Sequence, residues 1–387
     1  MKIGFDAKRV FYNETGLGNY SRNLLHGLKQ GFSEHEYCLY TPLIKNRAWP
    51  QKRLQEFSDF TIKTPKSLAG RVFPSWWRYR GITSELERDQ IDLYHGLSHE
   101  LPLGIEKTEI ASVVTVHDLI FLRHPELYRS WDARIYQKKY SQSIRRAGRI
   151  IAISENTRRD LIDLLGVDPR RIELIYQCAD PVFYRQRSQD ELRAVFQKYH
   201  ITQPYLFYVG SLSERKNLLR LIDAYAMLSG QNDLPELLFA GSGPVYRKKM
   251  EAKIAEYGLG SKIRFLERVP TEELPALYQG ASIFLYPSIY EGFGIPVIES
   301  LFSKTPVICS HESCFQETAG DGGFFVDVKE PAEIARAIDT LLKSPETGAE
   351  YAQRGHRYVQ KFHQERCAAE MESFYRRVVA SKKNSSI

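Results

Sequence analysis

The sequence predicts an α/β protein built from two Rossmann-like domains in tandem, and three observations lead there. Apolar, β-branched or aromatic runs alternate with helical patterns over residues 1–184, and the alternation starts afresh near residue 200. Alternation of this kind builds parallel sheets covered by helices on both faces. At 387 residues the chain exceeds the roughly 250–300 residues that one hydrophobic core sustains. Between the two series lies a polar stretch, Arg185 to Asp190, followed by a short helical segment and Thr202-Gln203-Pro204, which reads as a linker.

Taken in order, strands are expected at Lys2–Ala7, Glu36–Thr41, Asp59–Thr64, Asp92–His95, Ser112–His117, Ile150–Ser154 and Arg171–Tyr176. Helical periodicity falls at Asn19–Leu28, Trp131–Arg146 and Glu155–Leu165. The second series places strands at Tyr205–Ser211, Leu237–Gly241, Lys262–Leu266, Ser282–Tyr286, Pro306–Ser310 and Gly323–Val326, with helices near Asn217–Leu228, Pro244–Tyr257, Thr271–Gln279 and Gly294–Phe302. From Glu330 onward only helical patterns remain, and disorder is expected only in the polar tail Lys382–Ile387. The domains therefore read as residues 1–184 and 200–369.

Composition narrows the function classes. The opening Met1-Lys2-Ile3-Gly4-Phe5-Asp6 is a short strand, and no apolar run reaches the length of a membrane span or signal peptide. Five scattered cysteines suit a reducing, cytoplasmic setting. Cys309, His311 and Cys314 could offer three ligands on one loop, short of the four a structural zinc site takes, so no metal is expected there. The net charge of +7 is uneven: residues 1–184 hold 28 Lys and Arg against 22 Asp and Glu. An acidic partner such as phosphate, a nucleotide or an anionic membrane surface fits that excess. A nucleic-acid protein would show a denser basic stripe and a recognisable module, and neither is present.

Four constellations carry candidate chemistry. Gly16-Leu17-Gly18 lies between the first strand and first helix, where glycines let backbone approach a phosphate; the plainer reading is a tight turn needing positive φ. His117 stands at the carboxyl end of an apolar strand, where open α/β sheets bind ligands, although a hydrogen-bonded structural histidine would look the same. His95 and Ser154 are similarly placed, Ser154 also as a helix cap. Arg215 and Lys216 follow a strand and precede a helix, so a guanidinium fork, an ammonium and a helix N-terminus converge on an anion. Finally, Glu291-Gly292-Phe293-Gly294 leads into a helix bearing Glu299, eight residues on. A carboxylate accepts two hydrogen bonds at once, which suits the diols of sugars and ribose, and the glycines expose backbone N–H groups.

Through these residues and others, the chain resembles the retaining glycosyltransferases of family 4, which have the GT-B fold. The resemblance runs through Gly4-Phe5-Asp6-Ala7, Thr15-Gly16-Leu17-Gly18, Thr115-Val116-His117-Asp118-Leu119, His124-Pro125-Glu126, Ala152-Ile153-Ser154-Glu155-Asn156-Thr157, Arg215-Lys216-Asn217 and Glu291 with Glu299. The most similar subgroup contains bacterial mannosyltransferases of surface-polysaccharide assembly. The resemblance implies two domains facing each other across a cleft, with a helix near residues 370–387 crossing back to the first. It implies a nucleotide-sugar donor, GDP-mannose in that subgroup, and a glycan or lipid-linked acceptor. Glu291 would bind the donor sugar and Glu299 the ribose. Arg215 and Lys216 would bind the diphosphate with Gly16, Leu17 and Gly18, and His117 would lie by the transferred sugar. Gly292, Phe293 and Gly294 would give backbone contacts, with Leu266 and Val269 near the base. Ser211 stands where many relatives carry Arg, and Tyr176-Gln177-Cys178-Ala179-Asp180 where they usually carry Asn-Gly.

Asp-x-Asp is absent, so no bridging metal and no cofactor are expected. A UDP-sugar donor, a nucleotide-sugar epimerase of the same fold and a sugar-nucleotide-binding regulatory protein remain alternatives. One further segment, Arg71 to Arg80, mixes three arginines with Phe73, Trp76, Trp77 and Tyr79. It reads either as a peripheral membrane contact or as packing with solvated arginines.

Overall fold

The protein is described by a computed structural model covering residues 1–44, 48–128, 130–202, 204–231 and 233–385. Gln203 of the expected linker and residues 386–387 of the tail lie outside the described residues. The chain divides into two compact units, Met1–Cys178 with Gln364–Ile387, and Ala179–His363.

The first unit holds seven strands: β1 (Lys2–Asp6), β2 (Glu36–Tyr40), β3 (Thr61–Lys63), β4 (Leu93–Gly96), β5 (Ala111–Val116), β6 (Arg149–Ala152) and β7 (Ile172–Leu174). They pair in the order β3-β2-β1-β4-β5-β6-β7, and every pairing is parallel. In register, Phe5 lies beside His95 on β4 and Leu39 on β2. All six residues of β5 are buried, as expected of a central strand covered on both faces.

The second unit holds β8 (Tyr205–Val209), β9 (Glu236–Ala240), β10 (Ile263–Leu266), β11 (Ile283–Tyr286), β12 (Val307–Ser310) and β13 (Gly323–Val326), ordered β10-β9-β8-β11-β12-β13 and again wholly parallel. In both sheets the strand order reverses once, between β1 and β4 and between β8 and β11. Two doubly wound sheets of Rossmann type are the result, each with one such switch point, the place where ligands bind in open α/β sheets.

The helix Gln364–Ser385 belongs to the first unit. Ala368, Met371, Phe374, Tyr375 and Val378 are buried on one face of it, at helical spacing. That face lies on the helix Gly16–Gly31, where a β-carbon at Gly27 would stand 2.8 Å from Gln364 Cγ and 3.1 Å from Ala368 Cβ. Gln364 Nε2 donates to Asn23 O at 2.8 Å, and Tyr375 OH lies 2.6 Å from His95 Nδ1. The helix continues through Ser385, so most of the tail read as disordered is helical.

Two other expectations change. Residues 184–202 belong to the second unit rather than joining the two, and the short helical segment expected there is the helix Gln189–Lys198, capped by Ser188 with Glu191 reciprocating. The division falls earlier, after Cys178, because Phe183 packs on Tyr278 and Arg187 N donates to Gln279 Oε1 at 2.8 Å. In the arginine-aromatic segment, Trp77 is 1% exposed and its Nε1 donates to Glu85 Oε1, so it is core. Arg78 is held by Asp6 and Glu100. Leu68, Val72, Phe73 and Trp76, by contrast, are exposed.

Candidate active site

In the second unit, Arg215, Lys216 and Glu291 assemble at the switch point. β8 ends at Val209, and the loop from Gly210 descends to a single turn, Glu214–Lys216. Asn217, in the left-handed region at φ +60°, ends that turn and starts the helix Leu218–Leu228, its Nδ2 donating to Val328 O at 2.6 Å. This fixed corner aims Arg215 and Lys216 at the segment beyond β11. Arg215 Nη1 donates to Tyr290 O at 2.6 Å and pairs with Glu291 Oε1. Lys216 Nζ reaches the same oxygen and Tyr286 OH, the latter at 2.6 Å.

Burial disfavours the Glu291 carboxylate, but Arg215 and Lys216 overcome it and hold the group down at about 2. Burial pushes Lys216 down to about 8 against the pull of Glu291. At neutral pH the cluster has two cations and one carboxylate, an excess suited to an anion. Ser313, itself at φ +64°, clamps the Glu291 backbone from both sides: it accepts from Glu291 N at 3.1 Å and donates to Glu291 O at 3.0 Å.

Gly294, at φ +85°, then turns the chain into the helix Ile295–Phe302. A β-carbon there would come within 3.0 Å of the Phe315 ring. On this helix Glu299 is 8% exposed, and Tyr278 OH donates to its Oε2 at 2.9 Å. Among the described residues it forms no ion pair. Burial raises it to about 8, with Asp180 adding repulsion and the Tyr278 hydroxyl opposing. Gly292 and Phe293 are buried beside Glu291, while Ser211 is exposed at the end of β8; Leu266 closes β10, with Val269 in the loop beyond.

In the first unit, Gly16, Leu17 and Gly18 do not form a free loop. They are the first turn of the helix Gly16–Gly31, and neither glycine has positive φ. Gly18 is required by close approach, since a β-carbon would lie 1.9 Å from Asn13 O, and its N–H already donates to Asn13 Oδ1.

His117 is buried just past β5 and held neutral by burial, at about 3. Its Nε2 donates to Leu97 O at 2.9 Å, since a carbonyl can only accept, and Nδ1 accepts from Gln177 Nε2 at 3.2 Å. Both ring nitrogens are therefore occupied. Gln177, at the point where the sequence departs from its relatives, is thus a support of His117. His95 is likewise fully bonded, to Tyr375 and Thr115, and Ser154 caps the helix Glu155–Leu165 through Thr157 N. Both behave as structural residues.

Sequence reasoning missed Tyr278, Tyr286, Ser313, Gln177 and His99. Tyr286 closes an apolar strand five residues before Glu291, a visible signal. Tyr278, Ser313 and His99 reach their partners only through the fold.

Residues 15–183 match the family described as Glycosyltransferase Family 4, and residues 189–358 the one described as Glycosyl transferases group 1. The chain belongs to the family 4 glycosyltransferases. Among curated relatives of this glycosyltransferase is O-antigen chain mannosyltransferase B of Escherichia coli, 29% identical over 390 residues, covering 97% of this chain and 100% of that one. D-inositol 3-phosphate glycosyltransferase of Corynebacterium efficiens is 30% identical over 240 residues, 58% of this chain and 55% of that protein. Two solved structures share the GT-B fold. Sucrose-phosphate synthase from Thermosynechococcus elongatus superposes with a TM-score of 0.79 at 19% identity, covering 98% of this chain and 100% of that one. HepE of Anabaena, solved with UDP-glucose, gives 0.74 at 19% identity with both chains covered in full. No helix among the described residues is long and apolar enough to cross a membrane.

Proposed function

We propose that this glycosyltransferase moves mannose from GDP-mannose to a glycan or lipid-linked acceptor during assembly of a surface polysaccharide, with retention of anomeric configuration and without a metal. The observation that carries the reading is the switch-point cluster of the second unit. Arg215 and Lys216, held by one carboxylate, leave a net cation for a diphosphate, and fixed cations stabilise the charge that develops on a departing nucleoside diphosphate. Glu291 takes the donor sugar's hydroxyls, the glycine-rich turn after it the sugar and phosphate oxygens, and Glu299 the ribose diol. Mannose is favoured by the full-length likeness to the O-antigen chain mannosyltransferase. Metal independence rests on the cationic cluster and on the missing Asp-x-Asp.

A panel of GDP-, UDP-, ADP- and dTDP-sugars tests the donor by thermal shift, since a ligand bound only to the folded state raises its stability. GDP-mannose should give the largest shift and an α-linked product in the presence of EDTA. A UDP-sugar preference, which the UDP-glucose complex of HepE makes the second reading, would overturn the mannosyl assignment. A β-linked product or loss of activity on chelation would overturn the mechanism. Conversion of donor without acceptor would mark an epimerase, and binding without any turnover a regulatory protein.

The protein acts at the cytoplasmic face of a membrane, touching anionic lipid through Leu68, Val72, Phe73 and Trp76, with Arg71 and Arg80 beside them. The exposure of those four apolar side chains supports this. Flotation with anionic vesicles should be salt-sensitive and lost in Phe73→Ala with Trp76→Ala. Equal flotation of that double variant would sink the contact.

A further inference from the structure

The two switch points can be laid side by side. After β8 come adjacent cations, Arg215 and Lys216, and the segment after β11 supplies Glu291 to both. After β1 come adjacent cations too, Lys8 and Arg9, and the segment after β4 supplies Glu100. Here the pairing differs. Glu100 and Asp6 both bind Arg78. Lys8 and Arg9, each half-buried, make no side-chain ion pair or hydrogen bond among the described residues. Partial burial and the charge of Arg78 push Lys8 below its ordinary value, with Arg9 adding to this, and the opposing pulls of Glu100 and Asp6 do not cancel it. The remaining carboxylate nearby, Asp118, faces His117 and Tyr140 and accepts from Ile120 N.

Beside these cations stands His99, 4% exposed and in the left-handed region at φ +60°. Its tautomer follows from its contacts. His117 N donates to His99 Nε2 at 3.3 Å, so that nitrogen carries a lone pair. Burial, with the charge of Arg9, keeps the ring neutral at neutral pH. The proton is therefore on Nδ1, which has no acceptor among the described residues. An enclosed donor without a partner is costly, and so is a non-glycine residue at this φ. Both are retained at a switch point, next to two cations that form no ion pair among the described residues.

We propose that Lys8, Arg9 and the His99 Nδ1–H form an oxyanion subsite in the first unit, taking a phosphate or diphosphate group. A neutral sugar would not balance two adjacent cations, whereas a phosphate presents several acceptor oxygens to them and to a neutral N–H donor. The Nδ1 atom is enclosed in the ligand-free protein, and the Tyr140 ring stacks on His99 at 4.3 Å. Binding therefore shifts a neighbour of His99, which spectroscopy can read. The inference deepens the functional reading by making the first unit's ligand anionic. It does not depend on which sugar is transferred.

The test is calorimetric titration of the full chain with inorganic pyrophosphate, in the presence and absence of saturating GDP. With GDP present, pyrophosphate should still bind. Lys8→Gln and Arg9→Gln should each weaken it about tenfold or more, as loss of a charged hydrogen bond does. His99→Phe should weaken it too, while His99→Asn, whose amide replaces the Nδ1 donor, should restore much of the affinity. Histidine ¹⁵N spectra should show the His99 Nδ1–H signal moving on titration. Arg9→Gln should leave GDP affinity unchanged, because the phosphate taken here is the acceptor's; a fall in GDP affinity together with loss of pyrophosphate binding would overturn a separate subsite. Equal pyrophosphate affinity in native protein and both cation variants overturns it, whatever the donor screen finds. Should GDP itself not bind, titration of the bare protein compares the same variants.

Discussion

Glu291 and Glu299 lie eight residues apart in one motif and in one unit, yet their surroundings are opposite. Glu291 faces two cations and stays ionised far into acid. Glu299 faces a tyrosine hydroxyl and, among the described residues, forms no ion pair, and burial raises it to about 8. Both side chains are equally buried, so burial alone does not decide the charge of a carboxylate; its partners do. The contrast separates two tasks. Glu291 is fixed in place before any ligand arrives, whereas Glu299 is a proton-bearing group whose state a ligand or a pH change can alter.

The largest expected effect comes from dismantling the cationic side of that contrast. Lys216→Met leaves Glu291 buried with Arg215 alone, and should lower the stability of the second unit by about 3 kcal/mol, read from the urea transition. If stability barely moves, Glu291 is less dependent on Lys216 than the geometry says. Next come the two glutamates themselves. Glu299→Ala should weaken both GDP and GDP-mannose about ten- to a hundredfold, because ribose belongs to both. Glu291→Ala should damage turnover of the intact donor and leave GDP affinity nearly unchanged. Equal loss of GDP binding in both variants would erase the division of roles.

A smaller effect should appear with pH. The folded-state value of Glu299 is raised from 4.5 to about 8, so its contribution to stability is full below about pH 4.5 and fades as pH rises toward 8. Glu291 is shifted the other way, so its contribution is full above about 4.5 and is lost as pH falls toward 2. Glu299→Gln should therefore gain melting temperature over the native protein as pH rises from about 5 to about 8, on the order of 2–4 °C per kcal/mol. A gap that stays constant across that range would show Glu299 to be ionised throughout. The mildest change is Ser313→Ala, which removes the clamp on the Glu291 backbone and should cost about 1 kcal/mol, with a modest rise in KM for the donor.

Much of this architecture is legible in the sequence, for a physical reason. The central strands, such as β5 and β11, are buried along their whole length and appear as unbroken apolar runs, whereas the edge strands β3, β7 and β10 are shorter or interrupted by a charged residue; all thirteen strands among the described residues overlap runs visible in the sequence. Short helices are less visible. Lys8–Tyr12 and Leu68–Val72 have five residues each, too few to display a period. Thr15 to Gly18 resembles a loop because glycine disfavours helix, yet Gly18 begins a helix since only a missing side chain lets Asn13 approach. At the site, Arg215, Lys216 and Glu291 could be singled out by residue type and position. The protonated state of Glu299 could not, because it follows from burial against Tyr278, which only the fold brings about. Nor could the tautomer of His99, which is set by a backbone N–H eighteen residues away in sequence. Trp77 and Trp76 are neighbours with opposite fates, and only the packing of Trp77 against Glu85 separates them.

The placement of the helix Gln364–Ser385 also bears on how the protein is made. A ribosome releases the first 178 residues of the first unit, then the whole second unit, and only afterwards the helix that covers Leu24, Leu28 and His95. Until then the nascent first unit carries an open apolar face, with the imidazole of His95 lacking its Tyr375 partner. The second unit is contiguous and can finish folding during synthesis. The later half of the chain thus matures before the earlier half. A stop codon placed just before Gln364 should yield a sound second unit joined to a sticky, chaperone-bound first one.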